Sequence, residues 1–477
     1  MTLPTQQPED TRQDGEMDIA PAEDFVPPYP FRHEKMPPVW TLIGMAKRNF
    51  LSIWGIDDFQ SRLRSKRVFT RELIICNRPD VVREAFQSNH EVLQRKSPQM
   101  RHALEPLLGD GLFISDSETW AKRRKVVAPI IHGSRVKGFA PIMIDTIDEK
   151  RAEWAALGDG AEIDALADMA HLTAEIICRT IFGRQLGKNY AAEVVQGFSE
   201  YQRHIDQIDL FSLFGLPEWL PRIRGRAIKQ PVQRIMSVLD EIIDSYEAQK
   251  ENGEASVIGG LLEARDDEGN PLSRDAIRSE AAVIFMAGHE TTANTLAWAW
   301  FLLSNCARSR KRLQDELDTV LGGRTPTFKD VASLPFTKAV IEETLRLYPP
   351  VPILAREATG DTTIGGKAVP KGSLVMVVPW LMHRNPVLWS KPDVFDPGRF
   401  LDPKAKKPNK YGYVPFSIGP RICAGLQFGM TEAILSLAIL AQNFELKLKD
   451  GADIQPVARL TLRPGDRMPM TLHPRST

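Results

Sequence analysis

The chain has 477 residues, 43% of them hydrophobic and 26% charged, proportions near the globular average that exclude a largely disordered chain, a collagen and a polytopic membrane protein. Lys plus Arg and Asp plus Glu both number 61, which argues against a nucleic-acid binder held by bulk charge and leaves room for a local basic patch. The four cysteines (Cys76, Cys178, Cys306 and Cys423) contain no C-x-x-C pair, so neither a disulfide framework nor a cysteine zinc cluster is expected, and a reducing, cytoplasmic compartment fits.

In chain order, residues 1–36 read as a disordered or extended lead-in, acidic and Pro-rich over 1–30, with neither a basic n-region nor an apolar h-region. In 37–55, Trp40, Ile43, Phe50 and Trp54 can share one helical face opposite Lys47 and Arg48; the stripe suits core packing, the commoner use, or contact with a membrane surface. The run VFTRELIICN (68–77) predicts a short strand pair. Helical periodicity follows over 117–132, 142–157, 166–182, 191–207, 227–250, 274–306, 307–321, 334–347 and 424–442, and LVMVVPW (374–380) is strand-like. Gly, Pro and Asp punctuate 265–273, 322–327, 359–373 and 384–415 without a linker that would part independent domains. The pattern predicts one large domain, mainly α with a minor β portion.

Three segments carry chemistry. In AAVIFMAGHETTANTLAWAWFLLSNC (281–306) apolar residues cover nearly every face, so the helix should be buried. Gly288 costs about 1 kcal/mol relative to Ala in a helix interior, and the Glu290 carboxylate needs a partner where water is scarce. One reading puts a ligand or cofactor against this turn, with Gly288 permitting close approach and Glu290 and Thr291 relaying protons. The other is a hydroxyl-bonded helix kink with the carboxylate paired to an arginine. A zinc-protease reading of His289-Glu290 fails, because the fifth position is Ala293. In IEETLRLYPPVP (341–352), Glu343 and Arg346 stand at i, i+3 and can pair. In FSIGPRICAGLQFGMTEAIL (416–435), Cys423 precedes a long helix beside Arg421. Free N–H groups there are expected to lower the thiol pKa, and Gly425 offers a bare surface on which something flat can rest. A buried structural cysteine and a cysteine nucleophile are the other readings of this segment.

Taken together, Ala287-Gly288-x-Glu290-Thr291, Glu343-x-x-Arg346 and Phe416-x-x-Gly419-x-Arg421-x-Cys423-x-Gly425 resemble, in order and separation, the three signatures of the cytochrome P450 family. The resemblance covers about residues 40–475. It implies a single domain over 37–477 with haem b (iron protoporphyrin IX) between the long central helix and the helix after the cysteine. Cys423 would be the axial thiolate ligand of the iron, with Phe416 shielding it and Gly425 beside it. Arg421, the Trp120-x-x-x-Arg124 pair, Arg356 and, as a weaker candidate, His383 would meet the haem propionates. Thr291 and Glu290 would manage bound dioxygen and its protons. Arg399 in FDPGRF would join Glu343 and Arg346, although Gly398 departs from the family's usual Glu at that position.

The reaction so implied is monooxygenation, one oxygen atom from O2 entering an apolar substrate such as a fatty acid, terpenoid or steroid. Phe113 in GDGLFIS, Ala287, Ile353 and Leu354 would line the cavity, and residues 201–221 resemble a mobile lid. No flavin or ferredoxin segment is present, so NAD(P)H electrons are expected through a separate ferredoxin or flavodoxin-like donor and its reductase. Lys404, Lys406, Lys407 and Lys410, joined by Lys122, Arg123 and Lys125, form the expected docking charge. A haem-thiolate peroxygenase or isomerase and a non-enzymatic haem sensor or carrier are the alternatives. A soluble, cytoplasmic monomer with no transmembrane segment and no nucleic-acid partner is expected.

Overall fold

The computed structural model describes residues 24–68, 70–183, 193–194, 196–198, 200–201, 228–248 and 256–475. The helices that position the site are α1 (Val39–Arg48), α2 (Pro98–Leu108), α3 (Ser117–Ile130), α4 (Gly133–Leu157), α5 (Ala165–Phe182), α6 (Lys229–Ala248), α7 (Val257–Glu263), α8 (Arg274–Asn305), α9 (Ala307–Leu321), α10 (Pro335–Leu347) and α11 (Leu426–Asn443). Local chemistry sets their ends. The Ser273 side chain accepts from the Ala276 N–H to start α8. Pro335 opens α10 at its first position, and Gly322 closes α9 in the left-handed region.

The strands form small sheets around this helical body. The main sheet has the order β1 (Leu63–Val68), β2 (Arg71–Cys76), β8 (Leu374–Val377), β5 (Leu354–Glu357), β3 (Arg95–Lys96). β1 and β2 form a hairpin with Leu63 opposite Cys76, and β2 runs parallel to β8 with Leu73 opposite Leu374. A three-stranded sheet joins β4 (Ala161–Asp164), β12 (Pro469–Pro474) and β9 (Phe444–Leu448). Two hairpins, β6 (Thr362–Ile364) with β7 (Lys367–Val369) and β10 (Val457–Ala458) with β11 (Leu462–Arg463), complete it.

The longest helix, α8, runs through the main apolar core and packs on α5, α10, α11 and β9. α11 is buried along most of its length, and Trp298 of α8 stacks on Tyr348 just after α10, ring centroids 3.6 Å apart. Burying such aromatic area is the main favourable term in a core of this kind. Among the described residues, no helix is long and apolar enough to cross a membrane.

The expected mainly α fold with a minor β portion is the one observed, and several boundaries move. The first strand of the hairpin is Leu63–Val68, upstream of the expected run, because its polar residues take strand geometry from the partner rather than from their own pattern. α2 carries Pro98 at its start and Pro106 inside, which hid it from periodicity. Of the lead-in expected through residue 36, the part from Asp24 onward is described, and it runs without helix or strand along the body of the protein. Arg32 pairs with Asp393, the Tyr348 hydroxyl donates to the Pro28 carbonyl, and the Phe395 N–H donates to the Phe25 carbonyl, so this Pro-rich segment is held by bonds to distant sequence. The 37–55 stripe splits: Trp54 is buried and Phe50 packs on the core, whereas Trp40 is 71% exposed.

Candidate active site

The cysteine lies in a tight loop between residue 414 and α11. Ser417 and Gly419 take positive φ angles of 63° and 72°, and at Gly419 a side chain would run into the Phe86 carbonyl. These turns bring the Cys423 N–H to the Phe416 carbonyl at 2.9 Å and the Ile422 N–H to the Gly419 carbonyl at 3.0 Å. Cys423 therefore sits two residues before the Gly425 cap of α11. Protein surrounds the Cys423 thiol while the residue keeps exposed surface, as a side chain lining an internal recess does. The expected low thiol pKa is corrected: burial pushes it up, and the Gly425 N–H and the nearby Arg124 offset this only in part. A Cβ placed on Gly425 meets nothing within 4 Å, so the surface beside the sulfur is flat and open.

Buried cations gather beside this loop. Arg421 lies over the Trp120 ring, 4.5 Å from its centroid, and donates to the Ser115 carbonyl at 2.7 Å, while its Nε has no partner. Arg356 on β5 and Lys96 on β3 are buried, and they stand directly opposite each other in the antiparallel pair. Like charges in that position repel. The neighbouring pair in the same ladder, Arg95 with Glu357, is complementary, with Arg95 Nη1 3.5 Å from the carboxylate. Burial together with Arg421 holds the Arg356 guanidinium down to about 9. Burial brings Arg421 to about 10, and lowers Lys96 and Arg124 as well. Among the described residues no carboxylate pairs with Lys96, Arg356 or Arg124. A cluster of this kind costs several kcal/mol unless anions complete it.

An iron porphyrin fits this donor set, because it presents one soft-ligand position to the sulfur and two carboxylates to the cations. Lys96 was not legible in the sequence: a single lysine in QRKSPQ carries no signal until β3 pairs with β5.

On α8 the residues from 280 to 303 are buried except Ala287, Gly288 and Thr291, which share one side of the helix at i, i+1 and i+4. The bonds of this turn are those of the second sequence reading, hydroxyls bonded back to the helix and a carboxylate paired to an arginine. The hydroxyls of Thr291, Thr292 and Thr295 bond back to the carbonyls of Ala287, Gly288 and Thr291 at 2.7, 3.0 and 2.8 Å, and the Thr173 hydroxyl of α5 reaches the His289 carbonyl. Glu290 accepts from the Thr461 hydroxyl at 2.7 Å and lies 3.2 Å from Arg463 Nε on β11. The expected role of Gly288 is corrected. A Cβ there would meet Ile177 of α5 at 2.9 Å, so its bare surface serves the close approach of α5 to α8 and not that of a ligand.

The ion-pair network forms around Glu343 and is buried throughout. Arg346 meets the two carboxylate oxygens through Nε and Nη2 at 2.7 and 2.8 Å, and Arg399 Nε adds a third bond at 3.0 Å. The remaining guanidinium donors go to the carbonyls of His383, Pro392, Val394 and Ser390, which ties α10 to the loop ahead of the cysteine. Gly398 leaves this intact. His383 belongs to this network and not to the cation cluster: its Nε2 accepts from the Val414 N–H at 3.0 Å and its ring lies against Tyr413. The expectation that it meets a propionate is therefore corrected.

Phe113 is half-buried with Lys96 Nζ 4.4 Å from its ring centroid. Leu354 is buried in β5 and Ile353 packs on the core beside it. The expected lid, 201–221, lies outside the described residues apart from Tyr201. Lys404, Lys406, Lys407 and Lys410 are exposed, and the first two line a surface cleft with Arg308 and Arg312. Lys122, Arg123 and Lys125 do not extend that charge freely, because they pair with Glu118, Asp110 and Asp267.

Comparison with known proteins follows the same outline. The model of the family described as Cytochrome P450 matches residues 56–467. Cyclooctatin synthase of Streptomyces melanosporofaciens is 33% identical over 407 residues, covering 84% of this chain and 86% of that protein. The ultra-long-chain fatty acid omega-hydroxylase of Homo sapiens is 27% identical over 417 residues, covering 82% of this chain and 77% of the relative. The crystal structure of the cytochrome P450DA heme domain superposes with a TM-score of 0.77 at 26% identity, over 94% of this chain and 98% of that one.

Proposed function

The chain belongs to the cytochrome P450 family and is an oxidoreductase of the monooxygenase type, and from that premise we propose that it oxygenates an apolar terpenoid or long-chain acyl substrate with electrons delivered by a separate acidic protein. Haem, when bound, supplies oxygen activation and the electronic chemistry of insertion into a C–H or C=C bond. The chain's own residues supply the rest. Cys423 would ligate the iron, with the N–H of Gly425 directed at its sulfur. Arg421, Arg356, Lys96 and Arg124, with Trp120 beneath Arg421, would hold the two propionates. The observation that carries the reading is the pair Lys96–Arg356, two buried cations facing each other across a ladder, set beside a recessed cysteine.

On α8 the half-buried Thr291 would face the haem. Its hydroxyl donates to the Ala287 carbonyl, which leaves its oxygen free to accept a further hydrogen bond in the site. Glu290, bound to Thr461 and 3.2 Å from Arg463, whose side chain is 19% exposed, would connect this turn to water outside. Phe113, Ala287, Ile353 and Leu354 would supply apolar walls that exclude water. Two relatives, a cyclooctatin synthase and an ultra-long-chain fatty acid omega-hydroxylase, support a terpenoid or fatty-acyl substrate class. The exposed Lys404, Lys406, Lys407 and Lys410, with Arg308 and Arg312 across the cleft, support docking of a ferredoxin or flavodoxin-like donor.

The test is spectroscopic. Reduced protein under carbon monoxide is expected to show the Soret band of thiolate-ligated haem, and Cys423→Ala is expected to abolish it. A band of imidazole-ligated type that survives the substitution removes the reading. A titration library of terpenes and fatty acids, followed by the low-to-high-spin shift, then assigns the substrate class.

A further inference from the structure

The loop between α2 and α3 is tied at both ends to the two segments that flank the recess. At one end the Leu112 N–H donates to both oxygens of Glu280 on α8, at 2.9 and 3.2 Å. At the other end the Ser115 carbonyl accepts from Arg421 of the cysteine loop at 2.7 Å. Phe113 lies between these anchors, under the Lys96 ammonium. Two glycines let the loop press on α8: a Cβ on Gly109 would meet Ser279 Oγ at 2.6 Å, and one on Gly111 would meet Val283 Cγ2 at 2.7 Å. Glu280 has no exposed surface. The charged groups facing it are Arg123 from α3, with Nη1 3.5 Å away, and Asp110 from the loop, itself bonded to Arg123.

A fully buried carboxylate is a costly way to satisfy one N–H. The turn after it is closed by ordinary backbone bonds, from the N–H groups of Ile114 and Ser115 to the Gly111 carbonyl. What Glu280 adds is a fixed distance between this loop and α8. We propose that Glu280 is a positioning residue for substrate: by holding the Leu112 N–H it sets where the Phe113 ring stands over the recess, and so which part of a substrate reaches the reacting centre. This rests on the haem-thiolate monooxygenase reading.

The experiment compares holoenzyme with its Glu280→Ala, Glu280→Gln and Gly111→Ala variants. The carbon monoxide spectrum is recorded first, so that loss of the thiolate band in every protein, wild type included, marks failure of the haem reading and not of this one. Hydrogen exchange of the peptide spanning 109–115 and the dissociation constants of imidazole and 4-phenylimidazole are then measured. Imidazole reports access to iron, and the ratio of the two constants reports the shape of the space above it. Glu280→Ala is expected to raise exchange at Leu112 about tenfold, the loss of one hydrogen bond, and to shift the ratio about fivefold. Glu280→Gln, which still offers an amide oxygen to Leu112, is expected to restore both toward wild type. Gly111→Ala is expected to shift the ratio while Glu280 is present, which keeps the test open if Glu280→Ala does not fold. An unchanged ratio in Gly111→Ala, wild-type exchange in Glu280→Ala, or equal effects of Ala and Gln at 280 overturns the proposal.

Discussion

Lys96 and Glu280 are single side chains whose burial only makes sense through what they face. Lys96 lies opposite Arg356, so without an anion each raises the energy of the other. Lys96→Met is therefore expected to leave the haem-free protein equally or more stable, since an apolar side chain replaces an unpaired buried charge. The same substitution should speed haem transfer to apomyoglobin about tenfold, through loss of one charge-assisted bond. Unaltered transfer would remove Lys96 from the cofactor's partners.

Glu280 titrates at about 7, raised from 4.5 by burial, which Arg123 and the Leu112 N–H offset only in part. Between those values the folded state keeps a proton that the unfolded chain has released. Its contribution is complete below about pH 4.5 and is lost as pH rises through 7, a difference of about 3 kcal/mol. Denaturation midpoints of wild type and Glu280→Gln are accordingly expected to diverge in favour of the variant between pH 5 and 8. Two midpoints that move in parallel would refute the assignment.

At the scale of elements, the contact of α5 with α8 turns on a missing side chain. Gly288→Ala gains about 1 kcal/mol of helix propensity but drives a Cβ to within 2.9 Å of Ile177 Cδ1. Overpacking of this kind costs about 1–3 kcal/mol. The variant is expected to be less stable than wild type, and the double variant with Ile177→Val, which lacks that methyl group, to recover most of the loss. A null coupling in the double-mutant cycle would mean that the helices simply part.

The Glu343 network joins α10 to the segment that leads to Cys423. Removing one partner leaves a buried charge, so Arg399→Ala is expected to cost about 3–5 kcal/mol and to loosen the cysteine loop. The loss would be read as a lower denaturation midpoint together with faster haem loss. Normal haem retention at a lowered midpoint would confine the network to stability alone.

At the scale of the whole molecule, charge is balanced overall and concentrated locally. Lys404, Lys406 and Lys407 stand exposed on the segment approaching the cysteine loop. Reversing all three to Glu is expected to slow reduction by an acidic ferredoxin about tenfold at low salt and to flatten its salt dependence. A rate that matches wild type at every ionic strength would place the docking surface elsewhere.

The sequence by itself determined the long helices, because apolar spacing and end residues act locally, and it determined the pairing of Glu343 with Arg346, because those side chains stand one helical turn apart. The tertiary structure alone decided what each segment faces. Lys96 meets Arg356 only when two strands 260 residues apart pair, Glu290 turns to a hairpin near the chain's end, and Gly288 proves to be filled by Ile177. The thiol of Cys423 is raised and not lowered, since burial exceeds the help of the Gly425 N–H and the Arg124 charge. Periodicity and propensity are properties of neighbours along the chain, whereas desolvation and charge pairing are set by neighbours in space, and those exist only once the core has closed.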